Sequence, residues 1–357
     1  MKLGLFMMPS HEPGKSPYDV AQWNLQVLRW ADQYGYSEAW IGEHYTIGWE
    51  PIPSPDLLIA QALRETKNIV LAPSAHLLPY HNPIELAFRV AYLDQLAQGR
   101  YMLGIGAGAF ESDAELFATK GRNHEMMEEA LNIMLKIWAA EAPFEFRGKY
   151  WNVGYPAFDT LSGGPHIKPF QKPHPPIAMA GLSPRSSTLR LAGERGFIPL
   201  SLNLSPDYLA GHWDAYSEGA AKYRRTVDRK RWRVGREFLV ADTDSDAMEL
   251  CLDSMMGRAE RDYLLPTFTK FGMRKHLAPD RSLPETEITA EYLAKNVWLV
   301  GSPETVARKL REMYLQAGGF GTMLGMSWDF SSNPEPWRRS MELMATEVLD
   351  RVADLSL

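Results

Sequence analysis

Residues 68–108, NIVLAPSAHLLPYHNPIELAFRVAYLDQLAQGRYMLGIGAG, read as strand, helix, strand. Ile69, Val70 and Leu71 form an apolar, largely β-branched run that stops at Pro73, Ser74 and Ala75. Asn82 and Pro83 open a segment whose apolar residues Ile84, Leu86, Ala87, Val90, Ala91 and Leu93 fall on one helical stripe, closed by Gly99. Arg100 to Ile105 then make a second strand, apolar beyond the arginine and broken by Gly104, Gly106 and Gly108. Strands so nearly apolar need cover on both faces, the condition met by a parallel βαβ unit. Small residues end both strands, where α/β barrels and open α/β sheets present their ligand sites.

The same alternation extends in both directions. Strands are predicted at Lys2 to Met8, Glu38 to Ile41, Ile177 to Ala180, Phe197 to Leu200, Trp232 to Val240 and Phe320 to Met326. Helices are predicted from about Ser16 to Tyr34, Asn123 to Ala140, Pro206 to Arg225, Ser245 to Tyr263 and Glu335 to Val352, with one from Pro303 to Gln316 opened by its early proline. With the central unit this gives the strand count of a (β/α)8 TIM barrel, as a single domain over residues 1–357. Two stretches break the pattern. Residues 143–176 carry Phe144, Phe146, Tyr150, Trp151, Tyr155 and Phe158 with many prolines and glycines, and read as a hairpin followed by an irregular excursion. Residues 264–290 read as an irregular, mixed-charge stretch and a candidate mobile lid.

Composition narrows the function. Hydrophobic residues make up 45% of the 357 and charged residues 23%, which predicts a packed core and excludes disorder. A net charge of −6 argues against a nucleic-acid footprint. The single cysteine, Cys251, rules out an internal disulfide or a cysteine metal cluster and fits a cytoplasmic location. The N-terminus lacks a signal peptide's apolar core, and no run reaches the length of a membrane span. The stock of 17 Met, 11 Trp, 15 Tyr and 14 Phe would fill a core, and it also suits a large apolar pocket for an aromatic cofactor.

His44 follows the second strand directly, in Ile41-Gly42-Glu43-His44-Tyr45, so a barrel places it on the catalytic rim. The alternative is a histidine capped by a backbone carbonyl. His76 and His81 lie near the end of the third strand, but no His-Glu-x-x-His helix accompanies them, and no metal is expected. Gly104, Gly106 and Gly108 lack dinucleotide-loop spacing; they would let a flat ligand approach the strand end. Gly181-Leu182-Ser183-Pro184-Arg185-Ser186-Ser187-Thr188 follows the fifth strand and opens a helix. Its free N–H groups, hydroxyls and arginine make an anion cradle, unless they are an ordinary N-cap with a surface arginine. No serine or cysteine nucleophile motif is present.

In this order and spacing, MKLGLFMMP, IGEHY, SAHLLPYHNPIELA, LDQLAQGRYMLGIGAG, AGLSPRSSTLRLAGERG and VGSPETVARKL…GGFGTM resemble the bacterial luciferase-like flavin-dependent monooxygenases. The likeness covers the whole chain and leans toward the limonene and other terpene monooxygenases. It implies reduced FMN (FMNH2), supplied by a separate NAD(P)H-flavin reductase, and oxygen transfer from O2 through a flavin C4a-peroxide to a small apolar terpene, ketone or aldehyde. It places His44 on the histidine that hydrogen-bonds or deprotonates the flavin–oxygen adduct. Ser74 and Ala75 fall on a cis peptide beneath the flavin, with Gly106 beside it, and Gly181, Ser183, Arg185, Ser186 and Ser187 on the phosphate segment. Luciferase itself has a reactive cysteine where this chain has Gly106 and an arginine where it has Ala107. Light emission is therefore not expected, and the phosphate would fall to Arg185 and the hydroxyls. A homodimer is expected. The rival readings are a deazaflavin (F420) hydride-transfer enzyme on the same barrel, a non-catalytic flavin-binding partner subunit, and a metal-dependent barrel hydrolase.

Overall fold

The computed structural model describes residues 1–202, 205–355 and 357. Its strands are β1 (Lys2–Ser10), β2 (Glu38–Ile41), β3 (Val70–Pro73), β4 (His76–Leu77), β5 (Leu103–Gly106), β6 (Phe144–Arg147), β7 (Asn152–Tyr155), β8 (Ile177–Gly181), β9 (Ile198–Ser201), β10 (Arg233–Arg236), β11 (Phe238–Val240), β12 (Leu299–Gly301) and β13 (Thr322–Trp328). One parallel sheet runs β3-β2-β1-β13-β10-β9-β8-β5-β4. Its two ends meet because Leu71 of β3 bridges Tyr101, just before β5: the Leu71 N–H donates to Arg100 O and the Met102 N–H to Leu71 O, each at 3.1 Å. Strands β3 and β4 are two pieces of one stave, separated by a cis peptide at Ser74–Ala75, so the expected eight-stave barrel is formed.

The helices are α1 (Pro17–Gln33), α2 (Pro55–Glu65), α3 (Pro83–Ala97), α4 (Glu111–Leu116), α5 (Asn123–Ala139), α6 (Ser187–Arg195), α7 (Pro206–Lys222), α8 (Asp244–Asp253), α9 (Met255–Ala259), α10 (Leu265–Lys270), α11 (Ala290–Asn296), α12 (Pro303–Ala317), α13 (Pro334–Leu343) and α14 (Leu349–Arg351). Local chemistry starts them where the sequence indicates. The Asn82 side chain accepts from the N–H groups of Ile84 and Glu85 at the head of α3, and Ser302 accepts from Thr305 at the head of α12. The staves themselves are closely covered: β2 and β13 are buried at every position. Among the described residues no helix is long and apolar enough to cross a membrane.

Three expectations need correction. The stretch from Trp232 to Val240 is not one strand: β10 stays in the barrel, while β11 leaves it to pair in parallel with β12, the division falling at the charged Arg236-Glu237. The helix expected from Ser245 to Tyr263 is broken at Ser254, whose side chain accepts from the Met256 N–H and caps a second helix. That second helix does not end at Tyr263. It passes through a π turn at Glu260–Leu264 and continues as α10, so the stretch from 264 begins as ordered helix. The hairpin expected within 143–176 is present as antiparallel β6 and β7.

Candidate active site

The C-terminal ends of the staves surround a cavity of about 530 Å³, within the range of sites for cofactor-sized ligands. Phe6 and Met8 line it from β1, His44 and Glu43 from beyond β2, Ser74 and Ala75 from the cis junction, Gly106 from β5, Gly181 from the end of β8, Ser183 and Ser186 from the loop that follows, and Thr188 from the first turn of α6. Phe268, Phe271 and Met273, on and after α10, close another side with Tyr263. The sequence-derived residues thus converge, with two exceptions. Ser187 and Arg185 do not line the cavity, and the Arg185 guanidinium pairs with Glu218 on α7 at 2.5 Å.

Close packing gives the cavity its floor. A Cβ at Gly106 would lie 3.2 Å from the Ala75 Cβ, so any side chain here would crowd the cis junction. At the far wall, a Cβ on Gly181 would lie 2.5 Å from Leu189 Cγ, so glycine lets the first turn of α6 sit against β8. Ser186 caps that turn by accepting from the Leu189 N–H, and Thr188 faces the cavity. Ser183, Ser186 and Thr188 thus bring the start of α6 to the cavity wall, where a helix N-terminus favours an anion.

Beneath this cradle, His212 of α7 is buried. Burial lowers its pKa to about 4, so the ring is neutral and carries a single N–H. The Ser183 carbonyl, 2.9 Å from Nε2, can only accept, so the proton sits there. Nδ1 then accepts from the Ser201 hydroxyl at 2.9 Å, whose oxygen accepts from Trp232 Nε1–H at 2.9 Å. Every proton in the chain has one place.

His44 follows β2, three staves round the barrel from β8, and its ring meets that of Phe110 edge to face with ring centres 5.1 Å apart. Nε2 is 3.1 Å from Glu50 Oε2 and Nδ1 is 3.6 Å from Asp113 Oδ2, both carboxylates buried. Burial opposes the imidazolium, but the charge of Glu50 and the interactions with Asp113 outweigh it and raise the pKa to about 10. The two carboxylates thus favour a cationic His44 at neutral pH over a neutral base. Asp113 is itself held by the N–H and hydroxyl of Thr46, and Glu50 accepts from the Tyr263 hydroxyl at 2.5 Å. Glu50, Asp113 and Tyr263 had no motif in the sequence to reveal them.

A second network underlies the first. His76 donates to Glu43 at 2.8 Å and to Asp56 at 2.6 Å, and Asp56 pairs with Arg89. Burial opposes the charge on His76, but these carboxylates raise its pKa to about 9. Burial likewise opposes the Glu43 carboxylate, but hydrogen bonds from His76 and His81 hold its pKa near 2. Glu43, His76 and His81 form a group that could geometrically enclose an ion. The hydrogen bonds oppose that use: charged His76 has no lone pair, and that of His81 sits on Nδ1, facing Arg89 at 3.2 Å.

With this geometry in view, the comparisons agree on one family. Residues 1–320 match the model for luciferase-like monooxygenases. The chain is 38% identical to the 3,6-diketocamphane 1,6-monooxygenase of Pseudomonas putida, over 99% of this chain and 98% of that one. It is 28% identical to the limonene 1,2-monooxygenase of Rhodococcus erythropolis, over 97% and 85%. The solved structure of the oxygenating constituent of 3,6-diketocamphane monooxygenase from Pseudomonas putida, a type II Baeyer–Villiger monooxygenase in complex with FMN, superposes with a TM-score of 0.94 over 98% of both chains. The chain is a member of the luciferase-like monooxygenase family.

Proposed function

We propose that this protein is the oxygenating component of a two-component monooxygenase that uses FMNH2 and O2 to insert oxygen next to the carbonyl of a small, apolar, cyclic ketone. The observation that carries this reading is the pairing, across one largely apolar cavity, of a hydroxyl-rich helix terminus with a charged His44, in a chain so close to an FMN-bound Baeyer–Villiger enzyme. Ser183, Ser186, Thr188 and the first N–H groups of α6 would hold the FMN phosphate, and the glycine-floored wall at Ala75 and Gly106 accepts a flat ring. When bound, reduced FMN supplies two electrons that carry one oxygen atom of O2 into the ketone as a lactone and the other into water.

The protein's own part is threefold. The cradle fixes the cofactor's distance from His44. Phe6, Met8, Phe110, Phe268 and Phe271 exclude water from the reacting space. The His44 imidazolium donates a hydrogen bond to the oxygen on which negative charge develops. The reading includes a separate NAD(P)H-flavin reductase, a cytoplasmic homodimer and one domain; sedimentation tests the dimer.

The decisive experiment supplies FMNH2 from a flavin reductase under ¹⁸O₂ with a panel of bicyclic and monocyclic ketones, terpenes and aldehydes. A lactone carrying one labelled oxygen is expected. Turnover with reduced F420 instead, and no labelled product with FMNH2, would overturn the reading.

A further inference from the structure

Between His44 and the helical segment 255–270 lies a connection that the cavity lining alone does not disclose. The loop after β2 folds back on itself: the His44 N–H donates to Ile52 O at 2.9 Å and the Glu50 N–H to Ile47 O at 3.0 Å, which returns Glu50 to the ring of His44. Across the loop, Tyr263 stacks on Trp49 with ring centres 5.8 Å apart and planes 6° from parallel, while its hydroxyl donates to Glu50 Oε1 at 2.5 Å. Tyr263 belongs to the π turn Glu260–Leu264, an irregularity that often marks a functional position in a helix.

The charge count gives this contact its purpose. Two buried carboxylates, Glu50 and Asp113, face one imidazole. Asp113 has the N–H groups of Tyr45 and Thr46 and the Thr46 hydroxyl. Among the described residues, the donors near the Glu50 carboxylate are Tyr263 and His44. Of the other titratable groups lining the cavity, Glu43 is engaged by His76, His81 and Tyr45, and His124 is exposed on α5.

We infer that Glu50 and Tyr263 are positioning residues for His44: Glu50 holds the ring as an oriented cation, and Tyr263 anchors Glu50 to the helix that walls the cavity. The inference rests on the proposed oxygenase only for what His44 does in turnover. Its geometry stands without a cofactor.

The test is the titration of His44 in the cofactor-free enzyme, followed by NMR of ¹³C-labelled histidine and assigned with His44→Gln. Four proteins are compared: wild type, Glu50→Gln, Tyr263→Phe and the double variant. Glu50→Gln is expected to lower the midpoint by about two units, as loss of an adjacent opposite charge does. Tyr263→Phe keeps the stacked ring but leaves His44 as the main donor to Glu50, so the midpoint is expected to rise by about half a unit. If Tyr263 acts through Glu50, the same substitution changes nothing in the Glu50→Gln background. An unmoved midpoint in either single variant, or an equal effect of Tyr263→Phe in both backgrounds, overturns the inference. Failure of the labelled-oxygen experiment would leave this measurement intact, so the two readings fail separately.

Discussion

His212 Nε2 lies 2.9 Å from the carbonyl oxygen of Ser183, so a neutral, buried histidine on α7 fixes the backbone of the loop that begins the cradle. Replacing it with phenylalanine strands the Ser183 carbonyl and the Ser201 hydroxyl, a cost of about 1–3 kcal/mol. Where that cost falls on the bound state, FMN affinity drops about tenfold, while turnover at saturating flavin changes less. His212→Gln, with an amide that can donate to Ser183 and accept from Ser201, is expected to recover part of the loss. Fluorescence titration with FMN measures all three; equal dissociation constants would show that the tether is irrelevant to binding.

Helix α7 can hold the cradle only because it approaches α6 closely. A Cβ on Gly219 would fall 2.0 Å from Arg190 O, which the backbone cannot accommodate without moving. Gly219→Ala is therefore expected to cost roughly 1–3 kcal/mol in stability and to weaken flavin binding in step. Gly211, on the same helix, would place its Cβ at an ordinary 3.7 Å from Arg185 Cγ. Gly211→Ala should be neutral or stabilising by up to about 1 kcal/mol. Denaturant midpoints of the pair separate crowding from helix propensity, and equal destabilisation would refute the argument.

These two helices also show what a sequence can and cannot convey. Apolar runs such as Ile69 to Leu71 announce staves because a strand covered on both faces has few other compositions, and Ser302-Pro303 announces a helix through local capping chemistry. The rim position of His44 follows from the strand before it. Its partners do not: Glu50, Asp113 and Tyr263 come from a loop, a short helix and a π turn, brought together only by barrel closure. The same holds for β11, whose apolar residues continue those of β10 in sequence while its backbone turns to β12. Arg185 gives the reverse lesson. Its place in an apparent anion motif suggests a phosphate ligand, and only the fold supplies the competing Glu218.

That competition can be tested. Arg185→Gln is expected to change FMN affinity less than about threefold, because the guanidinium is half exposed, paired with Glu218 and absent from the cavity lining. Ser186→Ala and Thr188→Ala each remove a hydroxyl at the cavity and are expected to cost about fivefold to tenfold. A large loss from Arg185→Gln in the same titration would show that the arginine turns inward when flavin binds.

His44→Ala should leave flavin binding intact, because the cradle belongs to β8 and α6, three staves round the barrel from β2. Oxygenated product per FMNH2 consumed should fall by about 10² or more, the usual weight of a positioned proton donor, with hydrogen peroxide appearing instead. Quantifying lactone and peroxide together checks this; unchanged coupling would remove His44 from the chemistry.

The buried histidines also set a pH signature on stability. His44, raised to about 10, and His76, raised to about 9, keep protons in the folded state that the unfolded chain releases near pH 6.5. Their contribution is complete below about pH 6.5 and is lost as pH rises through the folded values, at a limit of about 1.4 kcal/mol per unit for each histidine. His212, lowered to about 4 by burial, has the opposite sign: the unfolded chain gains a proton below about pH 6.5 that the folded protein refuses, so stability falls toward pH 4. Lys309, lowered to about 8 chiefly by burial, begins to offset the alkaline loss only above that value. Urea midpoints are therefore expected to peak near pH 6.5 and to decline between about 7 and 8. His44→Gln should remove about half of that decline and leave the acid limb alone. A flat profile from pH 6.5 to 8 would mean that these imidazoles are not held protonated in the folded protein.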